Sequence, residues 1–121
     1  MIVRAGILYD GTLEPPKRNV DVIVEGGVIE AIRAAQGECD AQAACITPGL
    51  VNAHVHIEAS GEPDLMAMVQ TTTQNQRLLR AVENARKSLK AGVTTVRDLG
   101  GSGGIAQDLR DAIDAGRVPG P

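Results

Sequence analysis

Residues 48–58 read PGLVNAHVHIE, a short apolar run carrying two histidines one residue apart. Pro48 and Gly49 interrupt what precedes them, and the apolar run that follows is short enough to be a β-strand. In a strand, residues i and i+2 share a face about 6.6 Å apart along the axis. His54 and His56 therefore project together, while Val55 turns the other way into packing. Two imidazoles so placed can converge on one ion at about 2.0–2.1 Å from each ring nitrogen. The H-x-H spacing by itself leaves a second reading open, a pair of surface histidines in the loop that follows the strand.

Downstream, the pattern alternates strand and helix. GEPDLMAMV suggests a short helix with Pro63 in its first turn. Leu78, Val82, Ala85 and Leu89 fall on one face of a helix expected over 75–91, with Gly92 as its C-terminal cap. VTTVRDL, residues 93–99, is the next strand. A glycine loop then leads into a helix carrying Ile105, Leu109, Ala112 and Ile113. Strand–helix–strand in this order predicts a parallel pair. The histidines would then stand at the C-terminal end of a parallel strand, where α/β folds place their active sites. Two parallel strands are too few for a covered sheet, so we expect the chain to be the N-terminal part of something longer.

Upstream, residues 1–47 read as β. MIVRAGILYDG is strand-like and ends on a turn signal. NVDVIVEGGVIEAI alternates, with Val20, Val22 and Val24 on one face and Gly26-Gly27 as a hairpin connection. Pro15-Pro16 belongs to the loop before it. RAAQGECDAQAAC is polar and alanine-rich, and the pattern does not place it.

Composition narrows the function classes. A net charge of -3 and a pI near 5.3 give no basic footprint for nucleic acid or an anionic membrane. Tyr9 is the only aromatic residue, so no stacking platform for bases exists. No apolar run reaches the roughly 18 residues of a membrane helix, and the N-terminus lacks a signal-peptide pattern. Cys39 and Cys45 lack C-x-x-C spacing, and we expect reduced thiols and a cytoplasmic protein.

PGLVNAHVH resembles the first barrel strand of the metal-dependent amidohydrolase superfamily, whose usual form is P-G-(L/F)-(V/I)-(D/N)-x-H-x-H. AGVTTVRDLGG resembles the second strand of its imidazolonepropionase- and prolidase-like branch, and residues 1–47 resemble part of the small β-domain that precedes the barrel. The resemblance implies an α/β fold. A β-sandwich-type segment over residues 1–47 would be followed, over 48–121, by the first two βα units of a (β/α)8 TIM barrel. It implies one or two divalent metal ions, usually zinc, with His54 and His56 as ligands. The family's other ligands are a carboxylated lysine or a glutamate on strand 4, histidines on strands 5 and 6, and an aspartate on strand 8 that shuttles protons. None of these positions occurs here. A catalytic zinc normally has three protein ligands, so the 121-residue chain alone is expected to be inactive. The implied reaction is hydrolysis of C–N bonds in small amides, cyclic amides or dipeptides. The sequence leaves oligomeric state open, a homo-oligomer included.

Other residues carry weaker expectations. Asp98 ends the second strand and could fix a histidine tautomer or orient substrate; the residues alone favour an Asp that caps the next loop or pairs with Arg97. Asn52 shares the face of His54 and could support the ligands from below. Glu58 lies a further i+2 step beyond His56, but a Glu past a strand end is expected to be solvated and is left out of the site. Arg77, Arg80, Arg86, Lys87 and Lys90 read as a solvated outer helix. Gly101-Ser102-Gly103-Gly104-Ile105-Ala106 matches G-x-G-x-x-A between a strand and a helix, which keeps a nucleotide-binding module as the rival reading. The same glycines would serve a tight βα loop with Ser102 as N-cap. A non-catalytic structural remnant is the third reading.

Overall fold

The computed structural model describes residues 1–121 as two compact units, Met1–Pro48 and Gly49–Pro121. In the first, β1 (Ile2–Leu8), β2 (Lys17–Glu25), β3 (Val28–Ala34) and β4 (Ala41–Ile46) form one sheet in the order β3-β2-β1-β4. β1–β2 and β2–β3 are antiparallel. Gly26 and Gly27 join β2 to β3 with φ of 56° and 82°, a connection whose positive φ values only glycine adopts cheaply. The alanine-rich stretch that the pattern left unplaced is β4, which runs parallel to β1. The sheet alone is a single layer; a sandwich needs a second.

Ala5, Leu8, Val20 and Val22 form the core of this unit, with Val24 and Ile46 packed against them. Asp21, on the opposite face, is also fully buried, because the paired strands set Arg4 directly across from it. Arg4 Nε donates to Asp21 Oδ1 at 2.8 Å and Nη2 to Oδ2 at 3.1 Å, while the Gln36 N–H donates to Oδ2 at 3.0 Å. The Arg4 guanidinium, then the Gln36 amide, hold the Asp21 carboxyl below the usual carboxylate range.

The second unit comprises β5 (Leu50–Val55), α1 (Leu65–Thr71), α2 (Gln74–Lys90), β6 (Val93–Asp98) and α3 (Ile105–Asp114). β5 and β6 pair in parallel, as the strand–helix–strand order requires. α1 starts later than expected. Pro63 lies outside it, and Asp64 is the cap, its Oδ1 accepting the Ala67 N–H at 2.9 Å. α2 opens on a reciprocal capping box between Thr73 and Gln76, and Gly92 follows its end at φ 88°.

The buried seam of α2 is Arg77, Ala81 and Ala85, spaced i, i+4, i+8. Leu78 and Val82 flank it half-buried, and Leu89 is 36% exposed. The expected 78/82/85/89 face is therefore rotated toward the alanines, whose small side chains admit close packing. Ile57, Ala81, Ala85, Ile105 and Leu109 form the core, with Val55 packed against it. No helix is long and apolar enough to cross a membrane.

Candidate functional site

β5 ends at Val55, so His54 is its penultimate residue and His56 the first beyond it. With Val55 anchored in the core, the flanking imidazoles are held on the other side. Their ring centroids lie 5.5 Å apart at an interplanar angle of 74°. Asn52 Oδ1 accepts the His54 N–H at 3.2 Å, which ties Asn52 to the backbone beneath the pair. His56 Nδ1 lies 2.8 Å from the Gly100 carbonyl oxygen. A carbonyl only accepts, so Nδ1 carries a proton, and in the neutral ring the lone pair lies on Nε2. No group of three His, Cys, Asp or Glu side chains that could hold a metal ion stands together.

Asp98 straps the two strand ends. Its Oδ2 accepts the Ile57 N–H at 2.9 Å, and its Oδ1 accepts the Gly100 N–H at 2.8 Å. The favoured expectation of a loop-capping Asp describes these bonds, while no ion pair joins it to Arg97. The carbonyl that meets His56 belongs to the same residue, Gly100, so Asp98 also orients the loop facing the imidazole.

Glu58 corrects the sequence reading most sharply. Expected to be solvated, it is 3% exposed. Arg77 Nε donates to its Oε2 at 2.9 Å, and the Ser102 N–H donates to its Oε1 at 2.7 Å. Arg77, expected on a solvated helix, is 8% exposed. Its Nη1 donates to the carbonyls of Val69 and Thr72 at 3.0 and 2.7 Å. A carboxylate is stable out of water only when paired and hydrogen-bonded, and every strong donor within reach is used here. One signal could have found the pair: Arg77 sits on the i, i+4, i+8 stripe with Ala81 and Ala85, a small-residue face that buries.

The glycine loop is shaped by the same carboxylate. Ser102 is not the N-cap of α3; Gly104 occupies that position at φ 77° without a side-chain cap bond. The Ser102 N–H goes instead to Glu58. A nucleotide phosphate on this loop would meet a buried carboxylate already holding its amide, and like charges repel strongly out of water.

The family model for the amidohydrolase family matches residues 45–121. No curated protein matches the chain. Among solved structures, a Xaa-Pro dipeptidase with bound methionine in the active site is 27% identical with a TM-score of 0.84, over 99% of this chain and 31% of that one. An amidohydrolase is 31% identical with a TM-score of 0.75, over 99% and 29%. The ochratoxinase of A. niger is 23% identical with a TM-score of 0.79, over 99% and 29%, a likeness of fold alone. The chain spans about a third of the length of these structures and matches the N-terminal part of their mixed α/β fold. The histidine-bearing strand, the parallel pair and a family match over more than half the sequence agree: this chain belongs to the amidohydrolase family.

Proposed function

We propose that these residues form the first part of a metal-dependent hydrolase that cleaves C–N bonds in small amides, cyclic amides or dipeptides. His54 and His56 are its first two metal ligands, on the first strand of a (β/α)8 barrel, and residues 1–47 contribute to a β-sandwich. The observation that carries this reading is the His56 Nδ1 bond to the Gly100 carbonyl, which leaves Nε2 of the neutral ring free to accept, in a ring whose centroid lies 5.5 Å from that of His54. The barrel reading is supported by Leu50 and Val51, which are 56% and 68% exposed on β5, whereas strands of parallel sheets are normally covered on both faces. Similarity to a Xaa-Pro dipeptidase supports an amide or peptide substrate.

A divalent ion, most simply zinc, would supply Lewis-acid polarisation of the scissile carbonyl and acidification of water. The chain's own residues hold and orient. His54 and His56 present lone pairs, Gly100 keeps the His56 proton on Nδ1, and Asp98 fixes the loop that carries Gly100. Two ligands fall short of the three protein ligands of a catalytic zinc, so activity requires donors from the rest of a longer protein.

The test is metal content. In the full-length protein that carries these residues, His54→Ala/His56→Ala should fold like the parent and lose its bound zinc, measured by inductively coupled plasma mass spectrometry. Metal content and amide hydrolysis equal to the parent's would refute the assignment.

A further inference from the structure

We propose that Glu58 is a positioning residue for His56, acting through the glycine loop; the proposal rests on the reading of His56 as a metal ligand. The two side chains do not need to touch for this coupling. The Gly100 carbonyl that receives the His56 proton lies in a loop clamped on both sides. On one side the Gly100 N–H is held by Asp98 Oδ1. On the other the Ser102 N–H is held by Glu58 Oε1 at 2.7 Å, with the Ser102 hydroxyl 3.3 Å from Oε2. Gln74 Nε2 adds a third tie, donating to the Gly103 carbonyl at 2.8 Å. With the amides on either side fixed, the direction of the Gly100 carbonyl is fixed as well.

The loop also packs tightly on the carboxylate. A Cβ at Gly101 would lie 2.9 Å from Glu58 Oε1, closer than side-chain carbons stand in folded proteins. Arg77 in turn holds Glu58 in place. Its guanidinium is anchored by two carbonyls at the α1–α2 corner, so the carboxylate cannot swing out to solvent without leaving a buried cation unpaired. A neutral acceptor could satisfy one backbone N–H. An ion pair built into the core holds that acceptor rigidly, because charge-assisted bonds are shorter and stronger than neutral ones. The chain of contact runs from the α1–α2 corner through Arg77, Glu58 and Ser102 to Gly100 and His56. Its output is the tautomer of His56: with the Gly100 carbonyl displaced, the proton also samples Nε2, and that form has no lone pair on Nε2 to offer a metal.

The experiment compares three variants of the full-length protein with the parent. Glu58→Leu/Arg77→Met removes both charges together, which avoids an orphaned buried ion. Glu58→Gln keeps an oxygen for the Ser102 N–H. Gly101→Ala leaves the ion pair intact and pushes the loop off it, so the proposal stays testable if the double variant does not fold. The first readout is the imidazole ¹⁵N spectrum of His56 in metal-free protein, assigned with His56→Asn. The parent and Glu58→Gln should show a single Nδ1–H tautomer, and the other two variants a mixture. The second readout is Co(II) titration, where a loosened His56 should weaken affinity by roughly 10–100-fold. A folded double variant or Gly101→Ala protein that keeps the pure Nδ1–H form would overturn the role of Glu58. A parent that binds no Co(II) would refute the metal reading instead, and the tautomer comparison, made without metal, still decides the role of Glu58.

Discussion

The buried ion pair makes a prediction about stability that a solvated pair would not. Arg77→Met keeps a long, flexible, apolar side chain in place but deletes the guanidinium. Three hydrogen bonds go with it, to Glu58 Oε2 and to the Val69 and Thr72 carbonyls. The carboxylate is left 3% exposed without its counter-ion. Orphaning a buried charge in this way costs about 3–5 kcal/mol, a large part of the roughly 5–15 kcal/mol that holds a domain together. At a urea slope of about 1.5 kcal/mol per M, the unfolding midpoint should fall by about 2–3 M. The chain has no tryptophan, so far-UV circular dichroism is the suitable probe.

The decisive comparison is a double-mutant cycle. Glu58→Leu strands the Arg77 cation and should cost a similar amount. Glu58→Leu/Arg77→Met strands neither and should lie near the parent, because apolar replacement of a buried pair is often neutral or stabilising. The two single losses would then exceed the double loss by several kcal/mol, a coupling that only contacting residues produce. Were Arg77 the solvated helix cation that its composition suggests, its replacement would shift stability by no more than about 0.5 kcal/mol. A midpoint change below about 0.3 M for Arg77→Met, at the same urea slope, would refute the buried-pair argument.

Two further outcomes follow from the first unit. Asp21 has a lowered pKa in the folded sheet, caused first by Arg4 and then by the Gln36 N–H, so its stabilising contribution is present above the unfolded value of about 3.9 and is lost as pH falls through the folded one; Asp21→Asn should flatten the loss of sheet stability below about pH 4, measured by circular dichroism in an acid titration, and an unchanged slope would remove Asp21 from the account. Gly6 lies against β4, where an added Cβ would stand 2.8 Å from the Ala44 carbonyl oxygen; Gly6→Ala should force β1 and β4 apart at a cost of about 1–3 kcal/mol, seen as faster amide exchange in β4, and parent-like protection there would show that the strands adjust without strain.

Period-based signals were legible from the sequence wherever one face of an element meets a core. The hairpin was readable because Val20, Val22 and the Gly26-Gly27 pair follow the strand period and the turn chemistry. The β5–β6 pair was readable because Leu50 to Val55 and Val93 to Asp98 flank a strongly helical segment. β4 was not readable. Ala41, Ala43 and Ala44 carry little hydrophobic contrast, and its position is fixed by backbone pairing along β1 over a long sequence separation, which leaves no local trace.

The site divides along the same line, with a less intuitive outcome. His54 and His56 could be paired from the sequence because their relation is local: two residues, one strand, one face. Glu58 follows the same i+2 step, yet a period says only which way a side chain leaves the backbone. What covers it is decided 19 residues later by Arg77 and 44 residues later by Ser102. General expectation assigns an isolated Glu to water, since burial without partners is prohibitive; only the fold supplies those partners. The same holds for His56, whose tautomer depends on a carbonyl 44 positions away. Local sequence therefore proposes donor atoms, while long-range contacts determine the protonation and direction in which those atoms are presented. In this chain both determinations pass through the loop after β6, so substitutions at Gly101 or Ser102 bear on His56 as directly as substitutions within β5.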